Sequence, residues 1–383
     1  MPHLRRAGLQ VHENVVSPLP YLPASPLPEK PAFQRALLRW YETHRRTLPW
    51  RKNPTPYRVL VSEFMLQQTR VETVIPYYER FLALFPTLKD LARTPLQKVL
   101  KAWAGLGYYA RARNLHRTAK TICRDLGGKI PRTKEELLRL PGFGPYTAGA
   151  VASLAFNQPV AALDGNAKRV LGRFFPKDCD FRQASAKKEA EKFLEGWIPP
   201  GRASDFNQAI MDLGAMVCIP SRPRCSACPT LKFCPTKGEL PEKKPAVRKF
   251  REETWAVALV EREGRYLLHH NEAGGLLSGL WQFPKVAVEK NQGKDAGRAG
   301  LWKLLKKYFL EDFGLEVKTK SRLPDQEYFF THIHALMKPY LCSLADPGNL
   351  LPPSKSVRWV KPSNFSRYPI STAMRKVAAL LGR

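Results

Sequence analysis

Residues 140–156 read LPGFGPYTAGAVASLAF. Gly142 and Gly144 allow a tight hairpin between two helices, and the helix that follows presents unpaired N–H groups at its start. Such an N-terminus can hold a phosphate without reading sequence, whereas an ordinary turn between helices would need nothing from it. Working outward from this hairpin, apolar spacing stays helical from Phe33 to about Trp197. AFQRALLRWYETHRR, VETVIPYYERFLALF, LQKVLKAWAGLG, RARNLHRTAKTIC and TKEELLRL are separated by Pro and Gly, and strand-like alternation is scarce. The expectation is an all-α domain over residues 31–235.

That domain ends in VCIPSRPRCSACPTLKFC, residues 217–234, which spaces Cys218, Cys225, Cys228 and Cys234 as C-x6-C-x2-C-x5-C. Four thiolates in so short a loop suit a soft metal centre, and a 4Fe-4S cube needs four. Structural zinc usually takes two C-x2-C pairs far apart, and here only the middle pair has that spacing, so the iron–sulfur reading is favoured. A disulfide-linked loop is disfavoured, because residues 1–30 lack the apolar core of a secretory segment and only Cys123, Cys179 and Cys342 lie elsewhere.

The 63 Lys and Arg against 33 Asp and Glu leave a formal net charge of +30, which points to a polyanionic partner. Residues 1–250 hold +22 of this and residues 251–383 only +8, so the basic surface goes with the helices and the cysteine loop. Apolar runs are too short to span a bilayer, which favours nucleic acid over a membrane and a cytoplasmic, DNA-associated location. Residues 1–30 read as a Pro-rich tail and residues 236–250, with TKGELPEKKPAVRKF, as a basic linker. Beyond the linker, TWAVALVERE and GRYLLHHNE read as strands around a turn, LWQFPKVAV and QEYFFTHIHALMKPYLCSL add more, and GRAGLWKLLKKYFLEDFG is a helix. Residues 251–383 are thus an α+β domain.

Two carboxylates stand out. Glu63 sits amid Val59, Leu60, Val61, Phe64, Met65 and Leu66, where apolar surroundings disfavour its charged form and let it hold a proton to donate; a solvated place on a helix is the competing reading. Asp164, in VAALDGNAKRVLGRFF, precedes a helix, and the commoner job of an Asp so placed is the N-cap.

Taken in order, LPWR (48–51), SEFMLQQTRVETVIPYYERF, GLGYYARARNLH, LPGFGPYTAGA, LDGNAKRVL, FNQAIMDLGAMVC and the four-cysteine loop resemble the adenine DNA glycosylase (MutY) family of the helix-hairpin-helix glycosylase superfamily. Residues 251–383 more weakly resemble that family's Nudix-like C-terminal domain, through GLLSGLWQFP and FFTHIH. The resemblance implies a monomer acting on double-stranded DNA, excising adenine opposite 8-oxoguanine or guanine after flipping it from the stack. By position it implies Glu63 as the general acid at adenine N7 and Asp164 as the carboxylate that stabilises or traps the oxocarbenium ion, with Tyr146 and Asn166 positioning the chemistry. It likewise implies Arg46, Leu48, Trp50, Arg51 and Gln208 as the adenine pocket. Gln68 and Tyr108 match residues inserted beside the lesion, and Gly142, Gly144, Lys168, Arg222 and Arg224 would meet the DNA backbone.

Endonuclease III shares the cysteine loop, but a Lys follows its hairpin and attacks the sugar; Tyr146 cannot form a Schiff base, so a monofunctional glycosylase is expected. A non-catalytic iron–sulfur DNA-binding module would have no reason to keep Glu63 and Asp164 with the pocket set. Phe330, Thr331 and His332 fall where the family has a Phe-Ser-His loop that reads the oxidised guanine. Thr keeps the hydroxyl but adds a methyl that stiffens χ1, and a strand with solvent-facing His is the competing reading. KKYFLEDFGLEV supplies only a fragment of a Nudix metal helix, so pyrophosphatase activity is not expected.

Overall fold

The computed structural model describes residues 29–174, 183–237, 250–272, 274–289, 297–346, 348 and 356–382. The Pro-rich tail therefore lies outside the described residues except at its last two positions, and so does the linker between 238 and 249.

From the N-terminus the helices are α1 (Lys30–His44), α2 (Pro49–Lys52), α3 (Pro56–Leu66), α4 (Val71–Leu84), α5 (Leu88–Arg93) and α6 (Leu96–Trp103). They continue with α7 (Ala110–Asp125), α8 (Lys134–Leu137), α9 (Pro145–Phe156), α10 (Gly165–Leu171), α11 (Ala184–Trp197) and α12 (Ala203–Met216). Local chemistry fixes their starts. Pro49 and Pro56 open α2 and α3, where no N–H is needed. Thr87 with Asp90, and Thr133 with Glu136, form capping boxes that satisfy two orphan donors each.

The chain forms two compact units, and the division runs through the first turn of α9. One unit joins residues 1–46 to 148–242. In it α12 packs against α1 and α10. Phe33 is the centre of an aromatic cluster, meeting Trp197 edge-on at 5.1 Å and Phe174 at 5.7 Å.

The other unit joins residues 47–147 to 243–383. Its helices α3 to α7 pack around Phe64, Phe81 and Trp103, all fully buried. Its sheet comprises β1 (Arg251–Arg262), β2 (Arg265–His270), β3 (Trp281–Gln282), β4 (Lys285–Glu289), β5 (Val317–Arg322), β6 (Gln326–Phe329), β7 (Ile333–Leu344) and β8 (Val357–Val360). The long parallel pairing of β1 with β7 requires a crossover, and α13 (Arg298–Phe313) lies on that path, ending at Gly314 in the left-handed conformation. Glu263 and Gly264 both have positive φ, as the tight turn from β1 to β2 demands. Alternate residues Ala256, Ala258 and Val260 of β1 bury against Leu301, Leu305 and Phe309 of α13. A last helix, α14 (Thr372–Ala378), is capped by Ser371. The helical and sheet parts of this unit are joined by side chains from α6 and α7: Gln97 Nε2 donates to Gly279 O at 3.0 Å and Arg113 to Ser278 O at 2.6 Å.

Helices followed by a mixed sheet with helices is the architecture expected from the sequence. Among the described residues no helix is long and apolar enough to cross a membrane.

Candidate active site and cysteine loop

Glu63 lies on α3, whose residues from Val59 to Met65 are all buried. Its side chain is 3% exposed. Tyr146, in the first turn of α9, donates its hydroxyl to Glu63 Oε2 at 2.7 Å. A phenol can also accept, so this contact serves a protonated carboxyl as well as an ionised one. The hairpin sets the tyrosine's place. Gly142 has φ +79°, and a Cβ there would stand 2.5 Å from Asn114 Cβ, so only glycine lets the turn close. Gly144, by contrast, borders open space. One residue past the tyrosine, Thr147 accepts from Gln67 Nε2 at 3.0 Å, tying the first turn of α9 to the chain leaving α3.

In the other unit Asp164 caps α10, its Oδ1 accepting from Ala167 N at 2.6 Å and its Oδ2 from Asn166 Nδ2 at 2.9 Å. Burial pushes the carboxyl above the ordinary carboxylate range, against the opposing pull of Ala167 N, Asn166 and Arg169. Arg169 holds the arrangement from behind: it donates to Asn166 Oδ1 at 2.7 Å, to Gly214 O at 2.6 Å and to Cys218 O at 2.8 Å. A Cβ on Gly214 would stand 2.7 Å from Asn166 Cβ, so this glycine lets α12 come up against α10. Lys168 is half-buried on α10.

Cys218, Cys225, Cys228 and Cys234 line one pocket together with Val170, Phe174 and Leu231. Arg173 donates to Cys218 Sγ at 2.6 Å, and the hydroxyls of Thr230 and Thr236 lie 3.3 Å from Cys228 Sγ and Cys234 Sγ. Such donors suit anionic sulfur. Yet among the described residues no three His, Cys, Asp or Glu converge on a single-ion position. Four cysteine sulfurs lining one pocket are a donor set that fits a thiolate-ligated metal centre. Arg222 and Arg224, between the first two cysteines, are exposed.

The expected adenine-pocket residues divide between the units. Arg46 is committed to Asp212: its Nε donates to Oδ1 at 2.7 Å and its backbone N to Oδ2 at 3.2 Å, and Asp212 is fully buried. Gln208 Nε2 donates to Ser204 O at 3.3 Å. Leu48 and Trp50 are buried, the indole meeting Tyr78 edge-on at 5.4 Å, and Arg51 is half-buried beside them in the chain. Gln68 and Tyr108 are both exposed and both left-handed, at φ 56° and 49°, a conformation that costs a non-glycine residue about 1–2 kcal/mol. Phe330, Thr331 and His332 form the turn between β6 and β7, closed by Phe330 N donating to Ile333 O at 2.8 Å. Phe330 packs on Tyr328 at 4.8 Å and Trp255 at 5.3 Å, while His332 is exposed. The stretch is a turn, not the strand of the competing reading.

One residue has no advance signal in the sequence. Arg111 is 6% exposed, and its guanidinium is satisfied by backbone carbonyls and a hydroxyl rather than by an acid. Only the meeting of two loops reveals it.

Residues 61–200 match the HhH-GPD superfamily of base excision DNA repair proteins, and residues 255–380 match the NUDIX domain family. The fold and site thus define a base excision DNA repair protein carrying a Nudix domain. An adenine DNA glycosylase of Rattus norvegicus is 35% identical, over 94% of this chain and 79% of its own length. That of Homo sapiens is also 35% identical, over 91% of this chain and 74% of its own. The chain belongs to the adenine DNA glycosylase family. Among solved structures, a thermostable thymine-DNA glycosylase superposes with a TM-score of 0.50 at 30% identity, covering 55% of this chain and 97% of that one.

Proposed function

We propose that the protein removes adenine opposite 8-oxoguanine or guanine in duplex DNA by hydrolysing its N-glycosidic bond, leaving an abasic site. The observation that carries this reading is the buried Glu63 carboxyl with the Tyr146 hydroxyl on it. A carboxyl out of water is poised to carry a proton, and adenine N7 of a flipped nucleotide is a base that can take it. Protonation draws the C1′–N9 electron pair onto the leaving adenine. The sugar becomes an oxocarbenium ion, which the ionised Asp164 stabilises or traps. Water then adds to C1′, and its proton returns to the Glu63 carboxylate, the exchange of acid and base roles known from retaining glycoside hydrolysis. Asn166 supports Asp164 by hydrogen bond. That both carboxylates act on one nucleotide rests on the family resemblance.

Arg46, Leu48, Trp50, Arg51 and Gln208 are assigned to the adenine pocket on the same grounds. The committed Arg46–Asp212 pair suits a wall of that pocket better than a mobile contact. Gln68 and Tyr108 are assigned to the opened stack, and their exposed side chains on strained backbone support it. Phe330, Thr331 and His332 are assigned to reading the oxidised partner base, and Gly142, Gly144, Lys168, Arg222 and Arg224 to the DNA backbone. Cys218, Cys225, Cys228 and Cys234 are assigned to a 4Fe-4S cluster, which when bound supplies metal–thiolate bonds that hold the loop folded. The protein is assigned as a monomer working on DNA.

A lyase reading would require an amine where this chain has Tyr146. The test is incubation with duplexes holding A opposite 8-oxoguanine or thymine glycol opposite A, with and without alkali. Strand cleavage only after alkali, and only in the first duplex, supports the proposal. Cleavage without alkali, or attack on thymine glycol, would replace it with the endonuclease III-like reading; binding without any base loss would leave an iron–sulfur DNA-binding module.

A further inference from the structure

Arg111 is the second residue of α7, and its buried guanidinium reaches both the chain leaving α3 and the loop before α7. Toward the end of α3 it donates to Phe64 O at 3.2 Å, Met65 O, Gln67 O at 2.6 Å and Thr69 Oγ1 at 2.9 Å. Toward the loop before α7 it donates to Gly107 O at 3.2 Å and Tyr108 O at 3.4 Å, and it lies 5.1 Å over the Tyr108 ring. Among the described residues no carboxylate pairs with it. Burial lowers its pKa to about 10, so it stays charged near neutrality, held by backbone carbonyls, the Thr69 hydroxyl and the ring faces of Tyr108 and Trp103.

The identity of the clamped segments matters. The first carries Gln68 and begins one residue after Glu63; the second carries Tyr108. Both residues are left-handed non-glycines, conformations that persist only where surroundings over-determine them. A planar fork with five donors spread over three nitrogens spans these acceptors on both loops at once, whereas an ammonium has three donors on a single nitrogen and reaches fewer of them. The same chain that Arg111 grips at Gln67 O reaches Thr147 through the Gln67 side chain, next to the tyrosine that touches Glu63.

The geometry points to Arg111 as a positioning residue that braces Gln68 and Tyr108 as one wedge and ties that wedge to the end of the helix bearing Glu63. This rests on the adenine-excision reading. Opening of the duplex and placement of the acid are then mechanically linked through one guanidinium, since a shift of either loop must pull on the carbonyls of Phe64 and Met65.

The test uses the full-length protein and a duplex with 2-aminopurine beside the target adenine, whose fluorescence rises on unstacking, alongside single-turnover adenine release. Arg111→Lys keeps the charge and loses the fork. It should bind duplex nearly as well as wild type, lose most of the fluorescence rise and release adenine about 10–100-fold more slowly, the scale on which small misplacements act. Thr69→Val, which removes one acceptor and keeps the arginine, should move both signals the same way by less, and guards against a folding defect in the first variant. Combining Arg111→Lys with the double variant Gln68→Ala/Tyr108→Ala should add nothing to the slower of those two parents, because both act through one wedge. Multiplicative losses, or a wild-type fluorescence rise in both Arg111→Lys and Thr69→Val, would overturn the proposal. If wild type released no adenine, the excision reading would fail separately, while the unstacking signal would still decide the role of Arg111.

Discussion

Asp164 carries two duties that ask for different protonation states. As the cap of α10 it needs only an acceptor, which an amide supplies equally well. As the partner of a sugar cation it must be ionised. Because the fold holds its carboxyl above the unfolded range, the neutral form is the one folding favours: that contribution is complete below the unfolded pKa and is lost as pH rises through the folded one. Near neutrality the ionised carboxylate therefore costs stability. Asp164→Asn keeps the cap to Ala167 N and is relieved of the buried charge, but turns an amide NH2 toward Asn166 Nδ2, so it should melt near the wild-type temperature while single-turnover excision falls about 100–1,000-fold, as removal of one electrostatic stabiliser does. A lower melting temperature with excision intact would reduce Asp164 to a helix cap. The acid limb of the wild-type pH–rate profile should also lie above the ~3.9 of an unperturbed aspartate, because Asp164 must lose its proton to work. A rate still constant below that pH would contradict the role.

At the scale of elements, the cysteine loop is where composition and geometry meet. Purified protein should be brown with broad visible absorption, and colourless protein with one zinc per chain would overturn the cube. Neutralising Arg222 and Arg224 together should weaken DNA binding and lower the slope of log affinity against log salt by about 1.8, close to 0.9 for each phosphate that the protein ceases to neutralise. An unchanged slope would turn both arginines away from DNA. The long helices are legible because their apolar residues repeat at helical spacing, as in α4 and α7, and β1 with β2 because short apolar runs, WAVALV and YLL, flank a Glu-Gly turn. The strand β5 is not, since VKTKSR is exposed after its first residue and offers no apolar alternation. The β8 strand and α14 are four and seven residues long, too short for periodicity to declare them. Among site residues, the capping of Asp164 can be read from its neighbours, whereas those of Glu63 leave a solvated helix face as the better reading until the family resemblance is added. Arg111 cannot be read, because its partners are backbone carbonyls some forty residues away, and a carbonyl leaves no mark in a sequence.

For the whole molecule, the proposed chemistry belongs to residues before 235 and the choice of partner base to the turn at Phe330, Thr331 and His332. Replacing Thr331 and His332 with Ala should therefore narrow the ratio of excision rates opposite 8-oxoguanine and guanine, by about 1 kcal/mol for each hydrogen bond removed, and leave the guanine rate nearly unchanged. Equal slowing on both duplexes would make the sheet a general clamp on DNA. In the proposed reaction a buried carboxylic acid drives loss of adenine, and Glu63→Gln removes that acid alone. The amide preserves shape and hydrogen bonding to Tyr146 but has no acidic proton. Free adenine released from an 8-oxoguanine duplex in a single turnover is the measurement. Wild type should release one adenine per duplex, and the variant should bind the same duplex while releasing adenine about 100–10,000-fold more slowly; release at the wild-type rate by Glu63→Gln would rule out Glu63 as the acid.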